Sequence, residues 1–199
     1  YLLRMRRKII EWEFEKNIKL KNYYDNWGNR VCGFYTDKNI IIFMQPKNKA
    51  LFLDRDGVIN KNFGYVFSMK NFVWLKNVKK AIKYAYIKKY LIIVVTNQSG
   101  IARGYFSEND VKKLHNEINK ELKIINCKIH DFFYCPYHPK YGNKKYKKDS
   151  FLRKPNPGMI FKAVKKWNID LNKSLMIGDK KTDMIAAKRS NLRFIKKKI

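Results

Sequence analysis

The chain has 199 residues, 45% of them hydrophobic, so it is long and apolar enough to fold around a core and is not expected to be disordered. Its longest apolar runs, residues 40–44 and 91–95, are far shorter than the roughly 18 residues that a membrane-spanning helix needs. Three cysteines, with no Cys-x-x-Cys pair among them, exclude a disulfide framework and a four-thiolate zinc site, and they fit a reducing cytosol.

The formal net charge of +29 is a feature that nucleic-acid-binding proteins share. However, Lys outnumbers Arg 36 to 9, and the lysines are spread over the whole chain instead of forming one stripe. We interpret the charge as a solvated, lysine-rich surface that results from composition bias. A secondary affinity for polyanions stays open, but we predict no specific nucleic-acid partner.

Residues 1–48 carry no motif that indicates a function. Trp12, Phe14 and Ile18, with charged residues between them, predict a helix, and residues 40–44 predict a strand. We place a domain boundary at residues 46–49. The first residue is not Met, and one interpretation makes residues 1–48 the tail of an upstream domain, followed by one domain over residues 49–199.

From residue 50 onward, short apolar runs alternate with amphipathic stretches. This is the pattern of parallel strands joined by crossover helices. Strands are predicted at residues 50–53, 91–95, 132–134, 175–177 and, more weakly, 192–195. Helices are predicted at residues 78–89, 109–125, 158–167 and 180–190. The sequence therefore predicts an α/β fold, in which ligands bind beyond the C-terminal ends of the strands.

Polar groups follow three of these predicted strands. They are Asp54 and Asp56 after the first, residues 96–100 (Thr-Asn-Gln-Ser-Gly) after the second, and Asp179, Lys180 and Asp183 after the fourth. Carboxylates from two strands would converge at the sheet edge, where hard oxygen ligands suit Mg²⁺. Thr96 and Lys154 are suited to hold phosphoryl oxygens. Each motif alone is also compatible with a turn or a helix cap, but their order after successive strands favours a catalytic site.

These motifs resemble the haloacid dehalogenase superfamily, and more narrowly its branch of heptose bisphosphate and histidinol phosphatases. The resemblance is carried by residues 52–60 (FLDRDGVIN), 64–66 (GYV), 95–104 (VTNQSGIARG), 153–159 (RKPNPGM) and 177–180 (IGDK). It covers about residues 50–195. It implies a Rossmann-like parallel sheet with flanking helices, a short flap and a loop insert.

The resemblance also implies a Mg²⁺-dependent phosphatase that acts on a small-molecule sugar bisphosphate, in heptose synthesis for a surface glycan such as lipopolysaccharide. Asp54 would be the nucleophile that forms an aspartyl-phosphate, and Asp56 the general acid and base. Mg²⁺ would be bound by the carboxylates of Asp54 and Asp179 and by the main-chain carbonyl of Asp56. Thr96 and Lys154 would stabilise the phosphoryl group in transfer.

By the same resemblance, a further set of residues surrounds the substrate. They are Asn62, Phe63, Gly64, Tyr65, Asn97, Gln98, Ser99, Arg153 and Lys180. Arg153 is suited to bind a second phosphate, whereas residues 64–66 are equally compatible with a flap turn that packs one aromatic ring. We expect a cytoplasmic monomer with no membrane partner. The alternatives are a histidinol phosphatase or, from another class, a basic nucleic-acid-binding protein or nucleic-acid 3′-phosphatase.

The chain departs from this family in one loop. Close relatives carry a zinc loop in which Cys-x-His is followed by Cys-x-Cys-Arg-Lys-Pro. Here Cys135 takes the first position, but Tyr137, Ser150 and Leu152 stand where the imidazole and two thiolates belong, and His138 is one residue out of register. Because structural zinc needs four nitrogen or sulfur ligands, we predict that the zinc site is lost and that residues 136–151 need packing to keep Arg153 and Lys154 in place.

Overall fold

Two compact units, Tyr1–Lys47 and Asn48–Ile199, make up the chain in this computed structural model. The structure describes residues 9–14, 18–24, 30–36, 39–43 and 47–197. Among the described residues, no helix is both long enough and apolar enough to cross a membrane.

The first unit contains a four-stranded antiparallel sheet in the order β1-β2-β3-β4. Its strands are β1 (Ile9–Phe14), β2 (Ile18–Tyr24), β3 (Arg30–Thr36) and β4 (Asn39–Phe43). β4 pairs with β3, which confirms the strand predicted at residues 40–44 except for Met44, which lies outside the described residues.

The helix predicted around Trp12, Phe14 and Ile18 is wrong. Trp12 and Phe14 lie in β1, Ile18 begins β2, and Phe14 pairs with Ile18 across the two strands. The segment Glu11-Trp12-Glu13-Phe14 alternates charged and aromatic residues with a period of two, which fits a strand. Two aromatic residues two positions apart in the sequence were misinterpreted as helical spacing.

The second unit is built on a five-stranded parallel sheet in the order β7-β6-β5-β8-β9. Its strands are β5 (Ala50–Leu53), β6 (Leu91–Asn97), β7 (Asp131–Cys135), β8 (Leu175–Gly178) and β9 (Arg193–Lys196), and its helices are α1 (Val78–Ile87), α2 (Glu108–Ile124), α3 (Gly158–Trp167) and α4 (Lys181–Arg189). All the strands and helices predicted from residue 50 onward are present, with ends that differ by at most two residues. The predicted α/β class is confirmed.

Each face of this sheet carries its own apolar core, because successive side chains of a strand point to opposite faces. Leu51 and Leu53 of β5 pack on one side with residues of α1 and α2. Ala50 and Phe52 pack on the other side with residues of α3 and α4. The central strands are therefore buried on both faces, which leaves their C-terminal ends as the place where polar groups can meet a ligand.

Two connections extend beyond that edge of the sheet. The flap, residues 61–73, lies in the connection between β5 and α1, and a hydrogen bond from the Lys61 N–H to the Val73 carbonyl (2.8 Å) joins its two ends. The insert, residues 136–157, lies between β7 and α3 and carries Arg153 and Lys154. Both match the short flap and loop insert that the resemblance implies.

Candidate active site

A cleft of about 440 Å³ opens at the C-terminal ends of β5, β6 and β8. It is lined by Asp54, Asp56, Asn62, Gly64, Tyr65, Thr96, Asn97, Gln98, Ser99, Arg153, Lys154, Lys180, Thr182 and Asp183. Two residues of the predicted site are missing from this lining. Phe63 is 63% exposed, and Asp179 contributes instead to a carboxylate cluster beside the cleft. Thr182 lines the cleft without having been predicted.

Asp54 lies directly after β5 and is almost fully buried. Its backbone N–H donates to the carbonyl of Ile177 in β8 (3.1 Å), so the two neighbouring strands fix its position. Its Oδ1 accepts a hydrogen bond from the Arg55 backbone N–H (2.8 Å) and lies 2.8 Å from the Lys154 ammonium. These contacts hold the Asp54 carboxylate in one position at the C-terminal end of β5.

Three carboxylates, those of Asp54, Asp179 and Asp183, offer ligand oxygens that all lie within 4.8 Å of one another. Burial, together with the negative charge of Asp54, raises the pKa of Asp179 above its ordinary value. The Asp179 Oδ1 is buried and has no hydrogen-bond partner. A divalent cation would satisfy that oxygen and relieve the repulsion, so these residues fit a hard metal ion such as Mg²⁺.

Gly57 makes room for this cluster. Its φ of +95° lies in the left-handed region, and a Cβ at this position would overlap the Asp179 carboxylate. Position 57 therefore requires glycine on two grounds, the backbone conformation and the close approach of the Asp179 carboxylate.

Lys154 brings a buried positive charge to the same point. Its Nζ lies 2.8 Å from Asp54, 2.7 Å from Asp183 and 2.7 Å from the Val95 carbonyl. Although burial alone would lower its pKa, the Asp54 and Asp183 carboxylates raise the pKa of Lys154 above its ordinary value, so it stays an ammonium. Asn97 fixes its backbone, because the Asn97 side chain exchanges two 3.0 Å hydrogen bonds with the Lys154 N–H and carbonyl.

Asp56 turns away from the carboxylate cluster, toward Gln98. Its carboxylate accepts hydrogen bonds from the side chains of Arg55, Asn60 (3.0 Å) and Gln98 (3.0 Å). The Gln98 amide also donates to Thr96 Oγ1 at 3.0 Å. The carboxylate is therefore held in one orientation at the wall of the cleft, and Thr96 is joined to it through Gln98.

Arg55 is a functional residue that the sequence analysis missed. It is fully buried, and its guanidinium donates to Asp56, to Gln98 Oε1 (3.2 Å) and to the Val66 carbonyl in the flap. On its far side lies His115, whose pKa is lowered to about 3 by burial and by the charge of Arg55. An Arg between two carboxylates in an otherwise apolar segment was the available signal, since a buried guanidinium needs several acceptors.

The residues expected at the substrate end of the cleft come from the flap and the insert. Asn62 Oδ1 accepts the Gly64 N–H (3.1 Å) in a turn where Gly64 has a φ of +95°, and the Tyr65 ring packs edge-on against Tyr105 at 4.7 Å. Half-buried Arg153 lines the cleft, and its Nη1 donates to the Tyr137 carbonyl at 3.2 Å. The cleft is thus lined by carboxylates at one end and by an arginine and a tyrosine at the other.

Comparisons with known proteins agree with this geometry. A family model for polynucleotide kinase 3 phosphatase matches residues 49–194. The chain is 46% identical over 140 residues to D-glycero-alpha-D-manno-heptose-1,7-bisphosphate 7-phosphatase of Burkholderia mallei, covering 70% of this chain and 74% of that protein. It is 40% identical over 147 residues to D-glycero-beta-D-manno-heptose-1,7-bisphosphate 7-phosphatase of Rhodopseudomonas palustris, covering 74% of this chain and 82% of that protein.

A solved structure is also similar. The D,D-heptose 1,7-bisphosphate phosphatase of B. bronchiseptica, crystallised with magnesium and phosphate, matches with a TM-score of 0.67 and 28% identity over 73% of this chain and 78% of that one. The parallel sheet, the flap and the order of the motifs agree with the resemblance found in the sequence. The chain therefore belongs to the haloacid dehalogenase-like phosphatases, in the family of D-glycero-D-manno-heptose 1,7-bisphosphate 7-phosphatases.

Proposed function

We propose that this chain is a Mg²⁺-dependent phosphatase that removes the 7-phosphate of D-glycero-D-manno-heptose 1,7-bisphosphate, in the synthesis of a heptose-containing surface glycan. The observation that carries the proposal is the buried Asp54 carboxylate within 4.8 Å of Asp179 and Asp183 at the end of a parallel sheet. We infer the identity of the sugar from the names of the similar proteins.

The reaction takes place in two displacements at phosphorus. In the first, a carboxylate oxygen of Asp54 bonds to phosphorus while the bond to the sugar oxygen breaks, and Asp56 protonates the departing oxygen. In the second, water attacks the aspartyl-phosphate, Asp56 takes its proton, and inorganic phosphate leaves with Asp54 regenerated. The hydrogen bonds from Arg55, Asn60 and Gln98 orient the Asp56 carboxylate for both proton transfers.

Cationic groups offset the negative charge that gathers at this site. The carboxylates of Asp54 and Asp179 and the main-chain carbonyl of Asp56 would hold Mg²⁺, which when bound weakens the repulsion between nucleophile and phosphate. Lys154 neutralises Asp54 and, with Thr96, stabilises the equatorial oxygens of the phosphoryl group.

The far end of the cleft would bind the rest of the substrate. Arg153 presents a planar guanidinium with several donors, which suits a second phosphate. Lys180 also lines the cleft and adds positive charge there. Asn62, Tyr65 and Ser99 line the cleft between these groups and are available to the sugar.

A second candidate is a nucleic-acid 3′-phosphatase, favoured by the family-model match and by the net charge of +29. The buried carboxylates and Lys154 are compatible with both substrates, since the chemistry at phosphorus is the same. What distinguishes them is the leaving group that Arg153 and the flap accept.

The first prediction concerns the substrate. In a phosphate-release screen, turnover is expected to be fastest with a heptose 1,7-bisphosphate, tested as both anomers. It is expected to be at least about tenfold slower with histidinol phosphate, which has no second phosphate for Arg153, or with 3′-phosphorylated DNA, whose other phosphates are diesters. DNA binding is expected to weaken steeply as salt is raised. Preferred hydrolysis of 3′-phosphorylated DNA, with binding that survives physiological salt, would reject the sugar assignment.

The second prediction concerns the two catalytic carboxylates. Asp54→Asn removes the nucleophile and is expected to lower phosphate release by more than about 10³-fold, and Asp56→Asn by roughly 10²–10⁴-fold. The control is Asp149→Asn, an exposed aspartate that does not line the cleft. If Asp54→Asn turned over at the wild-type rate, with deamidation excluded by mass spectrometry, the aspartyl-phosphate mechanism would be wrong.

The third prediction concerns the metal. Phosphate release is expected to stop in excess chelator and to return with Mg²⁺, because the Asp54 and Asp179 carboxylates repel each other without it. Mg²⁺ is also expected to raise the melting temperature of the wild type, and Asp179→Asn to remove most of that increase. Full activity in chelator would contradict the proposed site.

The fourth prediction is that the protein holds no stoichiometric zinc. Burial raises the pKa of the Cys135 thiol, which disfavours the thiolate that zinc binds. The imidazoles of His115 and His130 are engaged elsewhere, by Arg55 and by the Ile92 N–H (2.9 Å).

Elemental analysis after dialysis is expected to find well under one zinc per chain. Cys135→Ser should change the free energy of unfolding by no more than about 1 kcal/mol, as other core substitutions do. One tightly bound zinc per chain, lost together with the fold in Cys135→Ser, would show that the loop is a metal site.

A further inference from the structure

The carboxylate of Glu108 joins the insert to the phosphatase core at a point away from Lys154. Glu108 is the first residue of α2. Its Oε2 accepts a hydrogen bond from the hydroxyl of Tyr134 in β7 (2.8 Å), and its Oε1 accepts one from the hydroxyl of Tyr146 in the insert (2.8 Å). One carboxylate oxygen thus contacts a strand of the sheet, and the other contacts a loop that has no helix or strand of its own. We call Glu108, Tyr134 and Tyr146 the tyrosine clamp.

The charges around the clamp favour its ionised form. Partial burial alone would raise the pKa of Glu108, but the hydrogen bonds from the two phenols outweigh it and lower that pKa below its ordinary value. Burial and the neighbouring Glu108 raise the pKa of Tyr134, so its hydroxyl stays a donor. The position of Glu108 in the first turn of a helix also stabilises a negative charge. Hydrogen bonds to a charged acceptor are stronger than those between neutral groups.

Two hydrogen bonds connect the backbone of Tyr146, in the clamp, to the Arg153 side chain. The Tyr146 carbonyl accepts the His138 N–H at 3.1 Å, which fixes the backbone next to Tyr137. The Tyr137 carbonyl in turn accepts a hydrogen bond from Arg153 Nη1 at 3.2 Å. The Lys148 ammonium lies 4.1 Å from the centre of the Tyr137 ring, so a cation–π contact also holds Tyr137.

We propose that Glu108 and Tyr146 are positioning residues that orient the Arg153 guanidinium and so set the preference of this enzyme for substrates with a second phosphate. This inference rests on the proposed function of Arg153, because the clamp touches neither the carboxylate cluster nor the phosphoryl site. It assigns to a helix-terminal glutamate, outside every sequence motif of the active site, a role in substrate selection.

The test compares two substrates, a heptose bisphosphate and an aryl monophosphate that has no second phosphate. Tyr146→Phe removes one hydroxyl and keeps the ring, so it is expected to raise KM for the bisphosphate about tenfold, the usual effect of one hydrogen bond to a charged group. Glu108→Gln, which keeps the length of the side chain, should shift KM in the same direction. For the aryl monophosphate, both kcat and KM should stay within about twofold of the wild type.

Two further variants separate the possible results. Tyr134→Phe makes the same chemical change on the core side of the clamp and leaves the Tyr146 contact in place, so KM for the bisphosphate should change little. Arg153→Gln removes the guanidinium itself and should raise KM for the bisphosphate at least as much as Tyr146→Phe.

The outcomes are distinguishable. If Arg153→Gln raises KM for the bisphosphate but Tyr146→Phe and Glu108→Gln do not, the clamp has no positioning role while the proposed function stands. If Arg153→Gln has no effect, the second-phosphate assignment fails and the positioning inference fails with it. If Tyr146→Phe impairs turnover of the aryl monophosphate as much as turnover of the bisphosphate, the clamp only stabilises the fold and the inference is wrong.

Discussion

Mutual repulsion among three neighbouring carboxylates is the constraint on which the site depends. Asp54 and Asp179 follow two adjacent parallel strands and Asp183 lies in the first turn of α4, and their oxygens lie within 4.8 Å of one another. Such a cluster needs nearby positive charge. Lys154 supplies part of it from the insert, at 2.8 Å from Asp54 and 2.7 Å from Asp183. The position of the insert therefore decides whether the nucleophile Asp54 has its cationic partner.

The two catalytic carboxylates lie only two residues apart, yet their surroundings differ in kind. Asp54 contacts the Lys154 ammonium, whereas Asp56 is enclosed by amide and guanidinium donors that fix its orientation. Arg55, the residue between them, points the other way into the core and also holds the flap through the Val66 carbonyl. One buried side chain thus links the acid–base group with the flap that lines the cleft.

The flap and the insert, which together form the substrate end of the cleft, are held by polar contacts as well as by apolar packing against the sheet. Arg55 makes the polar contact with the flap, and Glu108 makes one with the insert through Tyr146. Polar contacts of this kind are directional, so they fix the orientation of groups such as Arg153 more sharply than apolar packing would. The insert therefore serves both ends of the cleft, because it carries Lys154 beside the nucleophile and Arg153 at the substrate end.

The sequence by itself determined the α/β fold of residues 50–196, the strand ends that carry Asp54, Thr96 and Asp179, and the family, because apolar periodicity and motif order are local properties of the chain. It did not determine the four-stranded sheet of the first unit, since Trp12 and Phe14 fit two periodicities and only pairing between strands decides which one holds. It also missed Arg55 and Glu108. Their partners lie in distant parts of the chain, Gln98 for Arg55 and Tyr146 for Glu108, and only the tertiary structure brings such groups within hydrogen-bonding distance.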